Sequence, residues 1–439
     1  MASQVNPPRG MRDFLPADKA RRERLLGVIR QTYRAHGFDE IETPVMEDSD
    51  RLHAGLGGDN EKLAFGILKR GLTPDELHIA EQPLDLVDLG LRFDLTVPLA
   101  RFYASHRSEL PTVFRSIQIG SVWRAERPQK GRYRQFVQCD IDIIGEPTIQ
   151  AEAELITATL ATVDALGLEG ATIRVNDRRL LIGMLAGFGF SPAEYDSVLI
   201  TVDKLDKIGH DGVVAELRSR EATSSAVDAL AAFFARPTTR EYLPFGEAAI
   251  LKALPEGADA GVVAQLVALG EAVAAARAVG GSRVETHDPA SRTDLLAFDP
   301  FLVRGMGYYT GPIFELAHPS VTYSLGGGGR YDGMIGRFLG SQVPATGFSL
   351  GFERLVDLIE LPDASAADAI ALVHDADVPL ARLLALKAEL LADGGRIRLV
   401  ARPKNVKPLL DALAAEGFTR FGFVGAATDA ATLELRDLS

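Results

Sequence analysis

The sequence predicts a multidomain α/β protein: a sheet-bearing core interrupted by a helical segment, then a smaller second α/β unit. Three observations carry this. The 439 residues exceed what one hydrophobic core organises. Strand-like segments that stop near residue 175 resume near 300, with alanine-rich helical stripes between. From about Ala366, strands and helices alternate in the manner of a largely parallel sheet covered by helices. The expected boundaries are 1–175 plus 300–363 for the core, 176–299 for the insertion and 368–439 for the tail, with a linker at Asp363 to Ala367.

Taken in order, Asp18 to Gly37 reads as a helix with Leu25, Val28, Ile29 and Tyr33 on one stripe and Gly37 as its stop. Phe38 to Pro44 follows as a strand that ends at proline. Leu91 to Pro98 reads as a short strand with Arg92, Asp94 and Thr96 on one face, a polar row that a buried sheet keeps only when something polar lies across it. In the insertion, Val262, Leu266, Leu269 and Val273 form a packing stripe. Strand-like, glycine-rich sequence resumes at Phe301 and runs through GGGGRYDG at 326–333, where glycines let a ligand or a neighbouring backbone approach closely. That segment lacks the Gly-Lys-Ser/Thr ending of a P-loop and the spacing of a dinucleotide fingerprint. In the tail, strands at Ala369 to Val373, Ile397 to Val400, Phe421 to Val424 and Thr432 to Leu435 frame helices at Val378 to Leu391 and Lys404 to Glu416.

Net charge is −13, which argues against nonspecific coating of nucleic acid but leaves room for local basic patches. One lies in the tail, where Arg396, Arg398, Arg402, Lys404 and Lys407 cluster. The single cysteine, Cys139, excludes an internal disulfide, and the eight histidines show no ligand spacing, so no zinc site is expected. The sequence shows no apolar run of membrane-spanning length and no signal segment, so a cytoplasmic location without membrane partners is expected.

The richest segment is Phe114 to Gly145. Between Arg115 and Arg134 it holds six basic residues (Arg115, Arg124, Arg127, Lys130, Arg132, Arg134) against one acid, Glu126. Such density repels itself unless an anion sits among the side chains, which points to phosphate. The strand after it aims Gln138 and Asp142 at one face. Arg124, Arg304 and Arg354, far apart in sequence and each in apolar context, suit a polyphosphate or carboxylate gripped bidentately.

GFDEIETP at 37–44, WRAERPQKGRYRQF at 123–136 and GFSLGFERL at 347–355 resemble, in order and context, the three motifs of class II aminoacyl-tRNA synthetases. LRFDLTVPLAR at 91–101, VRGMGYYTG at 303–311, GGGGRYDG and the opening PPRGMRDFLP are similar to segments of the histidyl-tRNA synthetase family. The resemblance implies a mainly antiparallel catalytic sheet flanked by helices and an anticodon-binding-like tail. It implies activation of L-histidine by ATP with Mg2+, no metal held by the protein itself, transfer to tRNA(His), and a homodimer joined through the GFDEIETP segment. Carried over by position, Arg124, Arg304 and Arg354 are the catalytic arginines, and with Glu126 they bind ATP. Asp94, Leu95, Thr96, Arg124, Gln138, Asp142, Arg304, Tyr308 and Tyr309 form the histidine set: Asp94, Thr96 and Gln138 receive the ammonium, Asp142 and Tyr309 the imidazole. Gln129 and Lys130 stand where the acceptor end of tRNA meets the hairpin. The chain retains the arginines that a related regulatory subunit of ATP phosphoribosyltransferase, which binds histidine as a signal, tends to lose. Two positions depart from the family pattern. Residue 307 is Gly where many members have Asp, so polar support for Arg304 must come from elsewhere, and the tail ends at Ser439, short of the family's last expected helix.

Overall fold

The computed structural model describes residues 5–53, 63–129, 131–236, 241–242, 245–280, 296–304, 307–359, 369–392 and 396–438, with 241–242 and 280 described in their backbone alone. The chain divides into two compact units, one of Met1–Arg12 with Leu26–Ile359 and the other of Asp13–Leu25 with Glu360–Ser439. The helix Pro16–Ala35 contributes to both.

In the first unit the strands are β1 (Asp39–Glu40), β2 (Met46–Asp48), β3 (Phe65–Leu68), β4 (Val87–Leu91), β5 (Phe114–Trp123), β6 (Gln135–Ile144), β7 (Thr172–Asp177), β8 (Glu241–Tyr242), β9 (Leu296–Phe298), β10 (Pro312–Ala317), β11 (Gly326–Arg330) and β12 (Ala345–Gly351). Among the described residues, nine of them form one sheet in the order β1-β5-β6-β12-β11-β10-β7-β9-β8. Its pairings are antiparallel except β1 with β5 and β7 with β9, as the family resemblance implies. The sheet thus starts before the helical stretch and continues after it, but the expected insertion 176–299 is not wholly helical: β8 and β9 come from within it and pair onto β7 at one edge of the sheet.

Helices cover the sheet because their apolar stripes need burial. Gln150–Ala165 buries Leu155, Ile156, Leu160 and Val163 and packs along β12 and β6. Ala260–Gly280 lies against that helix through the expected stripe, with Leu266, Leu269 and Val273 at 0% exposure, and Arg277 pairs with Asp164. By length and composition its Ala260–Val279 stretch could cross a membrane, contrary to the expectation that no run is long enough. The buried stripe instead marks a helix packed within the protein.

Sequence periodicity misassigned one important segment. Residues 92–95 are not a strand: β4 ends at Leu91 and a helix runs Thr96–His106. Asp94 Oδ1 accepts the amide of Val97 at 3.2 Å, and Pro98 falls in the first turn, where no amide donor is required. Likewise, the strand-like run from Phe301 becomes regular strand only at β10, and GGGGRYDG divides into β11 and the start of a helix, Asp332–Leu339.

The second unit carries β13 (Ala369–His374), β14 (Arg396–Ala401), β15 (Arg420–Val424) and β16 (Leu435–Asp437) in the order β14-β13-β15-β16, parallel apart from β16. Its helices, Leu380–Ala392 and Lys407–Ala415, start later than periodicity suggested, and its last strand lies three residues further on. Cores form on both faces of this sheet, one around Leu372, Leu383 and Leu386 and the other around Val373, Leu413 and Phe418.

Candidate active site

The site grows out of β6. Alternation places Gln138, Asp140 and Asp142 on one face of the strand. In register, Asp142 stands beside Gly347 of β12, Asp140 beside Ser349 and Gln138 beside Gly351. Gly347 is required here: a Cβ at that position would sit 1.9 Å from Asp142 Oδ1. On β11, a Cβ at Gly327 would sit 2.6 Å from Arg304 Cζ, so the glycine strand leaves room for that guanidinium to lie across the sheet. One cleft is lined by Asp94, Thr96, Gln138, Asp142, Tyr308 and Tyr309 together with Arg124, Glu126, Arg304 and Arg354.

One end of this cleft is acidic. Asp94, Asp140 and Asp142 are each at most 4% exposed. Burial pushes Asp94 up to about 6, against the opposing pull of the Val97 amide and the Arg124 charge. Burial likewise pushes Asp142 up to about 7, although it accepts the Tyr331 hydroxyl at 2.6 Å, and the Asp94 charge adds to the rise. Asp140 is driven well above the usual carboxylate range, first by burial and then by Asp142. Gln138 gives its amide to Ser349 Oγ at 2.7 Å. Tyr308 packs against Tyr309 and Tyr331, with ring centroids 4.8 and 6.1 Å away.

The other end is cationic. Arg124 Nε donates to the Phe93 carbonyl at 3.0 Å, and its guanidinium lies 5.1 Å from the Phe136 ring centroid. Arg354 donates to two carbonyls, Gly131 at 3.1 Å and Ser324 at 2.5 Å. Burial lowers its pKa, and the charges of Arg132, Arg124 and Arg304 lower it further, which is the electrostatic condition of a site that prefers an anion. Arg304 donates to Glu315 Oε2 at 2.8 Å. Glu315 in turn accepts Arg174 at 3.0 Å, and Arg174 also binds Asp299 and, at 2.8 Å, Asp206 of the helix Leu205–Ser219. Glu315 therefore supplies the polar support for Arg304 that Gly307 does not. Glu126 pairs with Arg132 at 3.4 Å near the hairpin turn.

Two members of the expected set stand apart. Leu95 is 1% exposed in the core and contributes only its carbonyl, which accepts Gln118 Nε2 at 3.0 Å. Gln129 is exposed and bridged to Arg132 through backbone hydrogen bonds of 3.1 and 2.9 Å, outside the cleft lining. Lys130 lies outside the described residues. Sequence reasoning overlooked Asp140, Tyr331, Glu315 and Ser349. Asp140 was accessible to the alternation that found Gln138 and Asp142, and Tyr331 sits in a segment noted for its glycines alone. Glu315 and Ser349 carry no local signal, since each matters through a partner distant in sequence.

Comparison with known proteins gives a consistent picture. A sequence model of the family described as histidyl-tRNA synthetase matches residues 10–355. A histidine–tRNA ligase of Leifsonia xyli subsp. xyli is 59% identical over the full length of both chains. A probable histidine–tRNA ligase of Tropheryma whipplei is 41% identical over 95% of each. The crystal structure of histidyl-tRNA synthetase from Nostoc sp. PCC 7120 superposes with a TM-score of 0.75 at 25% identity, covering 99% of this chain and 95% of that one. A structure described as an ATP phosphoribosyltransferase regulatory subunit/histidyl-tRNA synthetase from Bacillus halodurans C shares the fold, with a TM-score of 0.73 at 21% identity over 98% of this chain and all of that one.

Proposed function

The chain belongs to the histidyl-tRNA synthetase family and is a histidine–tRNA ligase that uses ATP, and from this premise we propose that its cleft binds L-histidine at the acidic end and ATP at the arginine end. The observation that carries this reading is the polarity of the cleft: buried carboxylates that form no ion pair among the described residues at one end, and arginines crowded together at the other. An amino acid joined to a nucleotide triphosphate matches both halves, with its ammonium and imidazole on the carboxylates and its carboxylate directed toward the arginines.

In the first step an oxygen of the histidine carboxylate attacks the α-phosphorus and pyrophosphate leaves. Arg124 and Arg304 stabilise the charge at that centre, while Arg354 holds the far phosphates. Asp94, Thr96 and Gln138 take the ammonium, Asp142 and Tyr309 take the imidazole, and Tyr308 closes the wall. Glu126 binds ATP near its adenine. In the second step a ribose hydroxyl at the 3′ end of tRNA(His) attacks the carbonyl and AMP leaves, with Gln129 and Lys130 meeting the acceptor end. We propose that magnesium enters on the phosphates of ATP, whose oxygens are the hard ligands that ion prefers.

A regulatory histidine-binding protein would need the acidic end but not three arginines. The same reading assigns catalysis to 1–175 plus 300–363, a helical insertion to 176–299 and anticodon contacts to 368–439. It also makes the protein cytoplasmic and a homodimer, the dimer being supported by Val45, Met46 and Leu68, apolar side chains left 43%, 44% and 60% exposed on or beside the β2-β4-β3 sheet. Exchange of labelled pyrophosphate into ATP, measured with each amino acid in turn, tests the activity. Exchange that requires L-histidine is expected, and equal exchange with another amino acid would overturn the assignment of the acidic end.

A further inference from the structure

Among the described residues, three shielded acceptor atoms of cleft-lining side chains have no hydrogen-bond partner: Asp94 Oδ2, Gln138 Oε1 and Asp140 Oδ1. Stranded acceptors of this kind cost free energy unless a ligand satisfies them. All three residues line the same cleft, and Gln138 and Asp140 are neighbours on one face of β6. An α-ammonium group carries N–H donors and a full positive charge, and so matches these acceptors in hydrogen-bonding type and the two carboxylates in sign.

The surroundings of Asp140 leave this oxygen to a ligand. Gln118, beside it on β5, gives its amide to the Leu95 carbonyl and accepts the Thr43 hydroxyl through its own oxygen. Ser349, beside it on β12, receives the Gln138 amide, and its single hydroxyl proton can serve one Asp140 oxygen, not both. A carboxylate placed only for packing would be expected to have an arginine or lysine in contact, as Glu152 has in Arg330 at 2.6 Å.

Resting on the ligase reading above, we propose that Asp140 is a specificity-determining residue that binds the substrate's α-ammonium directly, as a further partner beside Asp94, Thr96 and Gln138. Histidine is thereby distinguished from imidazole compounds that lack the amino group, because these bring no ammonium to this carboxylate.

The test compares the full-length protein with its Asp140→Asn and Asp140→Ala variants by calorimetric binding of L-histidine and of imidazolepropionate, which lacks the ammonium. Both variants are expected to bind L-histidine at least tenfold more weakly while binding imidazolepropionate as the parent does, which also shows that the cleft remains folded. Unchanged histidine affinity in Asp140→Asn, or equal losses for the two ligands, would overturn the proposal. Failure of the ligase reading is separable, because the parent protein would then show no histidine-dependent pyrophosphate exchange.

Discussion

At the scale of single residues the cleft trades stability for ligand recognition. Asp142, held up to about 7 in the folded protein against about 4 in the unfolded chain, binds its proton more tightly when native. The native state therefore carries more protons between these values, and stability falls as pH rises through that window. Asp142→Asn keeps the acceptor for Tyr331 and removes the buried charge. Its melting temperature is expected to exceed the parent's at pH 8, by an amount corresponding to at most about 4 kcal/mol, and to converge with the parent's near pH 4. The same variant should lose histidine activation. Equal melting curves at pH 8 would show that Asp142 is not strained by burial. Arg304→Ala should lower adenylate formation roughly 100-fold or more while leaving histidine bound, as the role proposed for it in the transition state requires; an unchanged single-turnover rate would remove Arg304 from the chemistry. Asp94, Gln138, Asp142 and the three arginines were legible in the sequence, because a charged or amide side chain in apolar context needs a reason to be there. Asp140 carried the same signal and was passed over. Glu315 carried none, since a glutamate in PIFEL reads as an ordinary exposed position until β7 brings Arg174 beside it.

At the scale of elements, strand order turns separate side chains into a site. Arg174 on β7 and Glu315 on β10 are register partners, and through Glu315 the strand pair fixes Arg304. Glu315→Gln keeps the shape and loses the charge, so kcat for exchange should fall about tenfold with little change in KM for histidine, the split expected of a positioning residue. An unchanged kcat would mean that Arg304 is held by other contacts. Gly347→Ala is a sharper case: its methyl group would occupy the space of Asp142 Oδ1, so KM for histidine should rise at least tenfold while ATP binding persists. Helix stripes and the tail's alternation were readable because periodicity is local. The 91–98 segment was misread because the same alternating residues fit a strand and the capped entry to a helix, and Asp94 decides between them only once its bond to the Val97 amide is seen.

At the scale of the whole molecule, chemistry and the tail's basic face lie in different compact units. In the second unit Arg396 and Arg398 lie over Phe418 at 4.5 and 4.6 Å, and Arg402 lies 4.5 Å from the Phe423 ring centroid and 3.3 Å from Asp375. Arg398 also pairs with Glu416, so part of the basic cluster is engaged within the unit. Lys404 and Lys407 are exposed. Lys404→Glu with Lys407→Glu should leave pyrophosphate exchange intact and raise KM for tRNA several-fold, with the difference shrinking as salt increases; a fall in exchange would place these lysines in the first step. The sequence by itself determined that a large sheet-bearing core precedes a smaller α/β unit, the ordered motifs that mark the family, and the arginines that line the cleft, because these rest on composition, period and local context. Only the tertiary structure decided which groups are left unsatisfied, which carboxylates burial forces upward, and that Glu315 rather than residue 307 supports Arg304. Those properties depend on solvent exclusion and on partners more than a hundred residues apart along the chain, as Arg174 and Glu315 are, and local sequence encodes neither.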